Sequence, residues 1–148
     1  MTRIGLKALA GLLALAALSA RAAEHEVAMR TSGATGDMVF EPSFLRIQRG
    51  DTVVFRTAQG GGHQSTSLLV PRGADAWRTP NDEATRVTLN VEGVYLYVCE
   101  PHLAMGMVGV LQVGRATNAA AAQRKVKELE RRIVLNKGRF DAALRRVQ

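Results

Sequence analysis

Two periods divide this chain. Up to about residue 113, apolar side chains recur at every second position, and beyond residue 117 they recur every third or fourth. Val27 and Met29, Leu45 and Ile47, Val53 and Phe55, and Val87 and Leu89 are spaced by two and separated by turn residues. That pattern predicts short strands of an antiparallel sandwich, each sheet with one wet face. In Gly93-Val94-Tyr95-Leu96-Tyr97-Val98-Cys99 the odd positions share a face, so Tyr95, Tyr97 and Cys99 point one way and Cys99 closes a strand. A further strand runs from Met107 to Val113. Gly50-Asp51 and Glu92-Gly93 read as tight turns, and Pro71-Arg72-Gly73 and Thr79-Pro80-Asn81-Asp82 punctuate a long connection. That connection holds the only tryptophan, Trp77, which reads as core or lid packing.

The second period predicts two short helices packed on the sandwich. Asn118 can cap the first, whose apolar stripe includes Val126, Leu129 and Ile133, with Gly138 as its stop. Phe140, Leu144 and Val147 repeat the spacing in the second. Glu128 stands three and four residues before Arg131 and Arg132, pairs worth roughly 0.2–0.5 kcal/mol each. The expected fold is therefore mainly β, a sandwich of about eight strands with two C-terminal α-helices.

The start of the chain belongs to neither pattern. A cationic opening, an apolar run from Ala8 to Ala20 and small residues at Ala20 and Ala22 read as a secretory signal over residues 1–22, cut before Ala23. The run is too short to span a bilayer. The mature 126 residues suffice for one core domain, 23–114, and a helical extension, 115–148.

Charge is split between these parts. Of the formal +7, the cations Arg3, Lys7 and Arg21 leave with the signal, so the mature chain carries +4. Residues 23–114 hold seven Arg and no Lys against ten acids, while residues 115–148 hold ten Lys and Arg against three. A basic tail can mark nucleic acid or membrane binding. Export argues against nucleic acid, and the interspersed Glu128, Glu130 and Asp141 favour a solvated helix face.

Export also makes the single cysteine informative. Thiols in an oxidising compartment usually pair, and Cys99 has no partner within the chain. A buried inert thiol would account for it, were it not for its neighbours in Cys99-Glu100-Pro101-His102-Leu103-Ala104-Met105-Gly106-Met107 and for His63 behind Gly60-Gly61-Gly62. Soft thiolate and thioether sulfurs with two imidazoles describe a trigonal mononuclear copper centre made for electron transfer, with metal ligands His63, Cys99, His102 and Met107. Met105 and Met38 also offer sulfur, though single methionines more often pack. Pro101 stiffens the loop before His102, and Gly106 permits a close approach before Met107. The three glycines lack the Lys and Ser or Thr of a phosphate loop and read as a flexible turn.

These residues resemble the pseudoazurin family, small blue-copper proteins of the Greek-key cupredoxin fold. The resemblance covers the mature chain and is carried by Met38-Val39-Phe40-Glu41-Pro42, Gly50-Asp51-Thr52-Val53, Pro71-Arg72-Gly73-Ala74 and Pro101-His102-Leu103-Ala104-Met105-Gly106-Met107. Plastocyanins share the ligand spacing but lack the terminal helices and the Ala-Met-Gly-Met ending. The resemblance implies one type 1 copper on His63, Cys99, His102 and Met107, with His102 as the electron exit and Met38 packed beside it. It also implies a monomeric periplasmic electron carrier, not an enzyme, working between a c-type cytochrome or bc1 complex and a reductase such as copper nitrite reductase, without nucleic acid or membrane insertion. The chain departs from the family in three respects. Gln64 stands where the family usually has an Asn that pins the ligand loops, Glu100 replaces a Thr, and Val98 and Gly61 replace lysines of the exit-face ring, of which Arg78 is a partial survivor.

Two other readings use the same residues. A copper-handling or storage protein would use these ligands with fast exchange. A Cys99–His102 nucleophile pair lacks an orienting Asn or Asp and leaves His63 and Met107 unexplained. His25, third in the predicted mature chain, could join the terminal amine and two amides around Cu(II), but a solvent-exposed histidine is the preferred reading.

Overall fold

A computed structural model describes residues 21–148; all of the predicted signal except Arg21 and Ala22 lies outside the described residues. Eight strands follow: β1 (Glu24–Gly33), β2 (Gly36–Glu41), β3 (Phe44–Ile47), β4 (Thr52–Gln59), β5 (Thr66–Leu69), β6 (Thr85–Thr88), β7 (Gly93–Val98) and β8 (Val108–Val113). Helices α1 (Ala119–Glu130) and α2 (Arg139–Leu144) close the chain. The strands form two four-stranded sheets, in the orders β2-β1-β4-β6 and β3-β8-β7-β5. Strand count, sandwich and helix pair match the expectation. The pairing is not wholly antiparallel, because β1–β4 and β3–β8 run parallel. A period of two fixes which face is buried and is blind to strand direction, so these crossovers leave no trace in the pattern.

The alternation sorts the core into two layers. Val27, Met29, Phe40, Val53, Phe55, Tyr95 and Tyr97 fill the space between the sheets, together with Cys99 and Met107. Val94, Leu96, Val98, Val108 and Val110 face outward, where Ala122, Val126, Leu129, Ile133 and Phe140 of the helical extension cover them. Strand β7 is thus buried on both faces, and burying each of its large side chains stabilises the fold by roughly 1.5–3 kcal/mol. Trp77 stacks on Phe55 with ring centroids 5.8 Å apart and stands 6.1 Å from Tyr97, so it packs against the core as expected. This doubly buried strand carries Cys99 at its end.

The extension differs from expectation in detail. Asn118 occupies the N-cap position of α1 but makes no capping bond. Its side chain instead accepts from the Val94 N–H at 2.7 Å and donates to the Val94 carbonyl at 2.9 Å, serving as an extra backbone unit beside β7. Helix α1 ends at Glu130, so Ile133 is buried from the following turn and not from the helix. Gly138, at φ 84°, precedes α2 as its N-cap and donates its N–H to the Glu130 carboxylate at 3.2 Å. Glu128 pairs with Lys125 at 2.9 Å, one turn before it, and not with Arg131 or Arg132 one turn after. Glu92-Gly93 is an open bend leading straight into β7, not a tight turn.

Candidate metal centre

The loop between β7 and β8 is tied by its own backbone. Glu100–Met105 forms a short 3-10 helix with Pro101 in its first turn, interrupted at His102 by a non-helical φ of −113° and ψ of 16°. The Cys99 N–H donates to the Met107 carbonyl at 3.0 Å, and the Met107 N–H donates to the His102 carbonyl at 3.2 Å. Three of the proposed ligand residues are therefore joined through main-chain bonds before any metal is considered. Gly106 sits at φ 77°, and a Cβ there would lie 2.8 Å from the Leu135 carbonyl oxygen, so only glycine fits.

A second loop presents His63, and Asp82 builds it. The Asp82 carboxylate accepts from the Gly62 N–H at 2.7 Å, the His63 N–H at 3.0 Å and the Thr57 hydroxyl at 2.9 Å. These bonds hold its carboxyl below the usual range. Gly60, at φ 81°, has no room for a Cβ because the Thr31 side chain occupies that space. A close approach thus requires glycine at position 60, whereas Gly61 and Gly62 have room for a side chain, and Gly62 at φ 74° takes the left-handed backbone of a turn. Thr31 Oγ1 lies 3.1 Å from His63 Nε2 and orients the ring. Asp82 had signalled only a turn in the sequence, and Thr31 carried no signal because its contact joins β1 to a loop 32 residues away.

The two loops bring their donors together. One ligand atom from each of His63, Cys99 and His102 lies within 4.8 Å of the others, with Cys99 Sγ 3.3 Å from His102 Nδ1. The imidazole rings stand 5.1 Å apart, centroid to centroid. Met107 is fully buried in the same cluster as Cys99. Burial, with the neighbouring His102, pushes the His63 pKa down. Burial likewise pushes the Cys99 thiol up, against the backbone N–H groups of Gln64 and His102.

One atom tests whether a metal fits. His63 Nδ1 is buried and has no hydrogen-bond partner, although buried polar atoms are almost always paired. An imidazole whose Nε2 is occupied by Thr31 and whose buried Nδ1 is unpartnered, beside a thiol and a second imidazole, is arranged as a metal ligand. The donor set of nitrogen and thiolate suits copper or zinc, and an added thioether favours copper.

Around the rim, the family departures contact one another. Gln64 Nε2 donates to the Glu100 carboxylate at 3.2 Å, Arg78 pairs with the same carboxylate at 2.7 Å, and Arg78 Nε donates to Gln64 Oε1 at 3.4 Å. The Gln64 N–H approaches Cys99 Sγ at 3.5 Å. Gln64 thus links the His63 loop to the Cys99 loop, and Glu100 is turned toward a cation. Val98 is buried beneath the helices, whereas Gly61 is exposed. Met38 lies half-buried against the inter-sheet core at φ 51°, and Met105 is half-buried in the 3-10 turn. His25 is not free in solvent, because its Nε2 lies 2.8 Å from the Asp51 carboxylate.

The chain is similar to known copper proteins. The family model described as copper binding proteins, plastocyanin/azurin family, matches residues 27–114. Pseudoazurin of Paracoccus pantotrophus is 39% identical over 121 residues, covering 81% of this chain and 83% of that protein. Pseudoazurin of Methylorubrum extorquens is 36% identical over 111 residues, covering 74% of this chain and 75% of its own. The crystal structure of pseudoazurin from Hyphomicrobium denitrificans is similar with a TM-score of 0.71 at 30% identity, covering 84% of this chain and 98% of that one. Doubly buried strand, converging soft donors and these likenesses agree: the chain belongs to the pseudoazurins, cupredoxin electron carriers that bind one type 1 copper.

Proposed function

We propose that the mature chain is a periplasmic electron shuttle whose copper is held by His63, Cys99, His102 and Met107, released from its signal by cleavage before Ala23. In this reading it takes electrons from a c-type cytochrome or bc1 complex and delivers them to a terminal reductase such as copper nitrite reductase. The observation that carries the ligand assignment is the buried, unpartnered His63 Nδ1 beside Cys99 Sγ and His102. Bound there, copper supplies reversible one-electron chemistry. The protein's part is to hold the donors still. Asp82 and Thr31 fix His63, the main-chain bonds fix the Cys99–Met107 loop, and the apolar core shuts water out on the inner side. His63 is fully buried while His102 is partly exposed, so the His102 edge is the open route between the site and a partner.

The visible spectrum tests the assignment. The copper-loaded protein is expected to show an intense blue thiolate-to-copper band that bleaches and returns on one-electron reduction and reoxidation. A colourless loaded protein overturns it. Copper loss to a chelator separates a carrier from a handling protein: a carrier loses it over hours or longer, and rapid loss favours handling. Stopped-flow reduction by a c-type cytochrome, and the amino-terminal mass of exported protein, check the donor and the processing site.

A further inference from the structure

Three consecutive carbonyls of the ligand loop accept hydrogen bonds from a single segment far along the chain. The Val134 and Leu135 N–H groups both donate to the Ala104 carbonyl, at 2.8 and 3.0 Å. Asn136 Nδ2 donates to the Met105 carbonyl at 2.9 Å, and Arg139 Nη1 reaches the Gly106 carbonyl at 3.3 Å. The Leu135 carbonyl closes over Gly106, where even a methyl group would not fit. Arg139 also donates to the carbonyls of Asp37 and Met38, both at 2.9 Å, and to that of Thr35 at 3.4 Å. One half-buried guanidinium thus holds the ligand loop, the β1–β2 turn and the start of α2 together. All its contacts here are main-chain oxygens, which suits the fixed fork of an arginine and not a flexible ammonium.

We propose that Arg139 and Asn136 are positioning residues for the copper loop, and that the segment 131–139 sets how deeply the Met107 thioether reaches toward Cys99 and the two histidines. The proposal rests on the ligand reading above. Its logic is mechanical. Methionine has three rotatable bonds and a weakly held sulfur, so its place is decided by where the backbone stands. The backbone just before Met107 is an irregular 3-10 turn broken at His102, and the outer carbonyls of that turn meet the extension. Axial-ligand position in turn tunes the potential of such a centre. Groups that orient ligands matter nearly as much as the ligands themselves.

The test uses the full mature chain. Arg139→Met and Asn136→Ala remove the side-chain donors, Arg139→Lys keeps the charge without the fork, and Arg46→Met is a control that breaks a bond to Gln148 away from the loop. Three quantities are read: the ratio of the two visible thiolate-to-copper bands, the reduction potential, and amide hydrogen exchange at Gly106 and Met107 in copper-free protein. Arg139→Met is expected to change the band ratio, raise the potential as the thioether donor recedes, and speed both amides about tenfold, as loss of one or two hydrogen bonds does to a local opening. Asn136→Ala should move all three in the same direction by less, and Arg139→Lys should fall between wild type and Arg139→Met. Wild-type values in both loop variants overturn the proposal, as does an equal response from Arg46→Met. If Arg139→Met fails to fold, the exposed Asn136 carries the test. A wild-type protein that is not blue sinks the ligand reading, whereas unchanged exchange in the copper-free variants sinks only this proposal.

Discussion

His63, a proposed ligand, is placed by residues that lie outside the candidate metal site. Its ring is aimed by Thr31 Oγ1 at 3.1 Å and its backbone by Asp82 at 3.0 Å. Replacing Thr31 with the isosteric valine keeps the packing against Gly60 and removes the ring's partner. Chelator competition should then show a roughly 10–100-fold loss of copper affinity, with the blue band retained. Glu100 and Arg78 make a second, opposed pair of expectations. Both side chains are substantially exposed, so their ion pair contributes only ~0–1 kcal/mol to folding. Their charges still act on the copper. Glu100→Gln removes a negative charge that favours Cu(II) and should raise the potential by voltammetry, while Arg78→Gln should lower it. Melting temperatures should barely move in either. The proposed ligands stand out in the sequence because three of them sit in one nine-residue loop. The Gln64–Glu100–Arg78 cluster does not, since its members meet only after two loops 36 residues apart are folded together.

At the level of elements, buried polar anchors fix what apolar periodicity leaves open. Asp51 is 3% exposed and sits where β4 begins. Burial alone would raise its pKa, but the Ala23 N–H at 2.8 Å, the Gln48 N–H at 3.0 Å and the His25 ring at 2.8 Å outweigh that and lower it below the ordinary value of 3.8. A depressed carboxyl stabilises the fold above its unfolded pKa and loses that contribution as pH falls through the lower, folded value. Thermal midpoints measured below pH 4 should therefore fall more steeply in wild type than in Asp51→Asn, which starts lower and titrates less at this site. Helix limits were the least legible elements. The spacing Val126, Leu129, Ile133 continues a helical stripe past Glu130, yet the chain leaves the helix there, and the Ala104 carbonyl of the ligand loop claims the N–H groups of both Val134 and Leu135. Asn118 misled in the same way. A residue suited to capping was recruited by the free edge groups of Val94, a tertiary demand that local sequence does not encode.

For the molecule as a whole, the sandwich was readable because most strands bury one face, whereas the alternation read in β7 placed Tyr95, Tyr97 and Cys99 on one face and did not reveal that the helices bury the other. The parallel pairs β1–β4 and β3–β8 were not readable, since direction leaves no periodic mark. Copper joins parts of this architecture that lie far apart in sequence, so binding and folding are linked. A metal bound at 100 times its dissociation constant adds about 2.7 kcal/mol. For a chain of this length that corresponds to roughly 6–10 °C, so calorimetry should find the copper-free protein melting at least that much lower. Copper-free protein should nonetheless fold, because both loops are tied by Asp82 and by main-chain bonds without it.

The fastening of the ligand loop also has a place in time. A polypeptide is made from its amino end, so Cys99 and His102 exist well before the segment that clasps their loop from Ala104 to Gly106. The nascent chain can assemble both sheets and still have a loosely framed thiol pocket. Completion of the electron-transfer centre is thus deferred to the final stretch of synthesis, and a chain cut short after residue 130 should pair its strands but be less stable, having lost Ile133 and Phe140 from the outer face, and hold a poorly tuned metal.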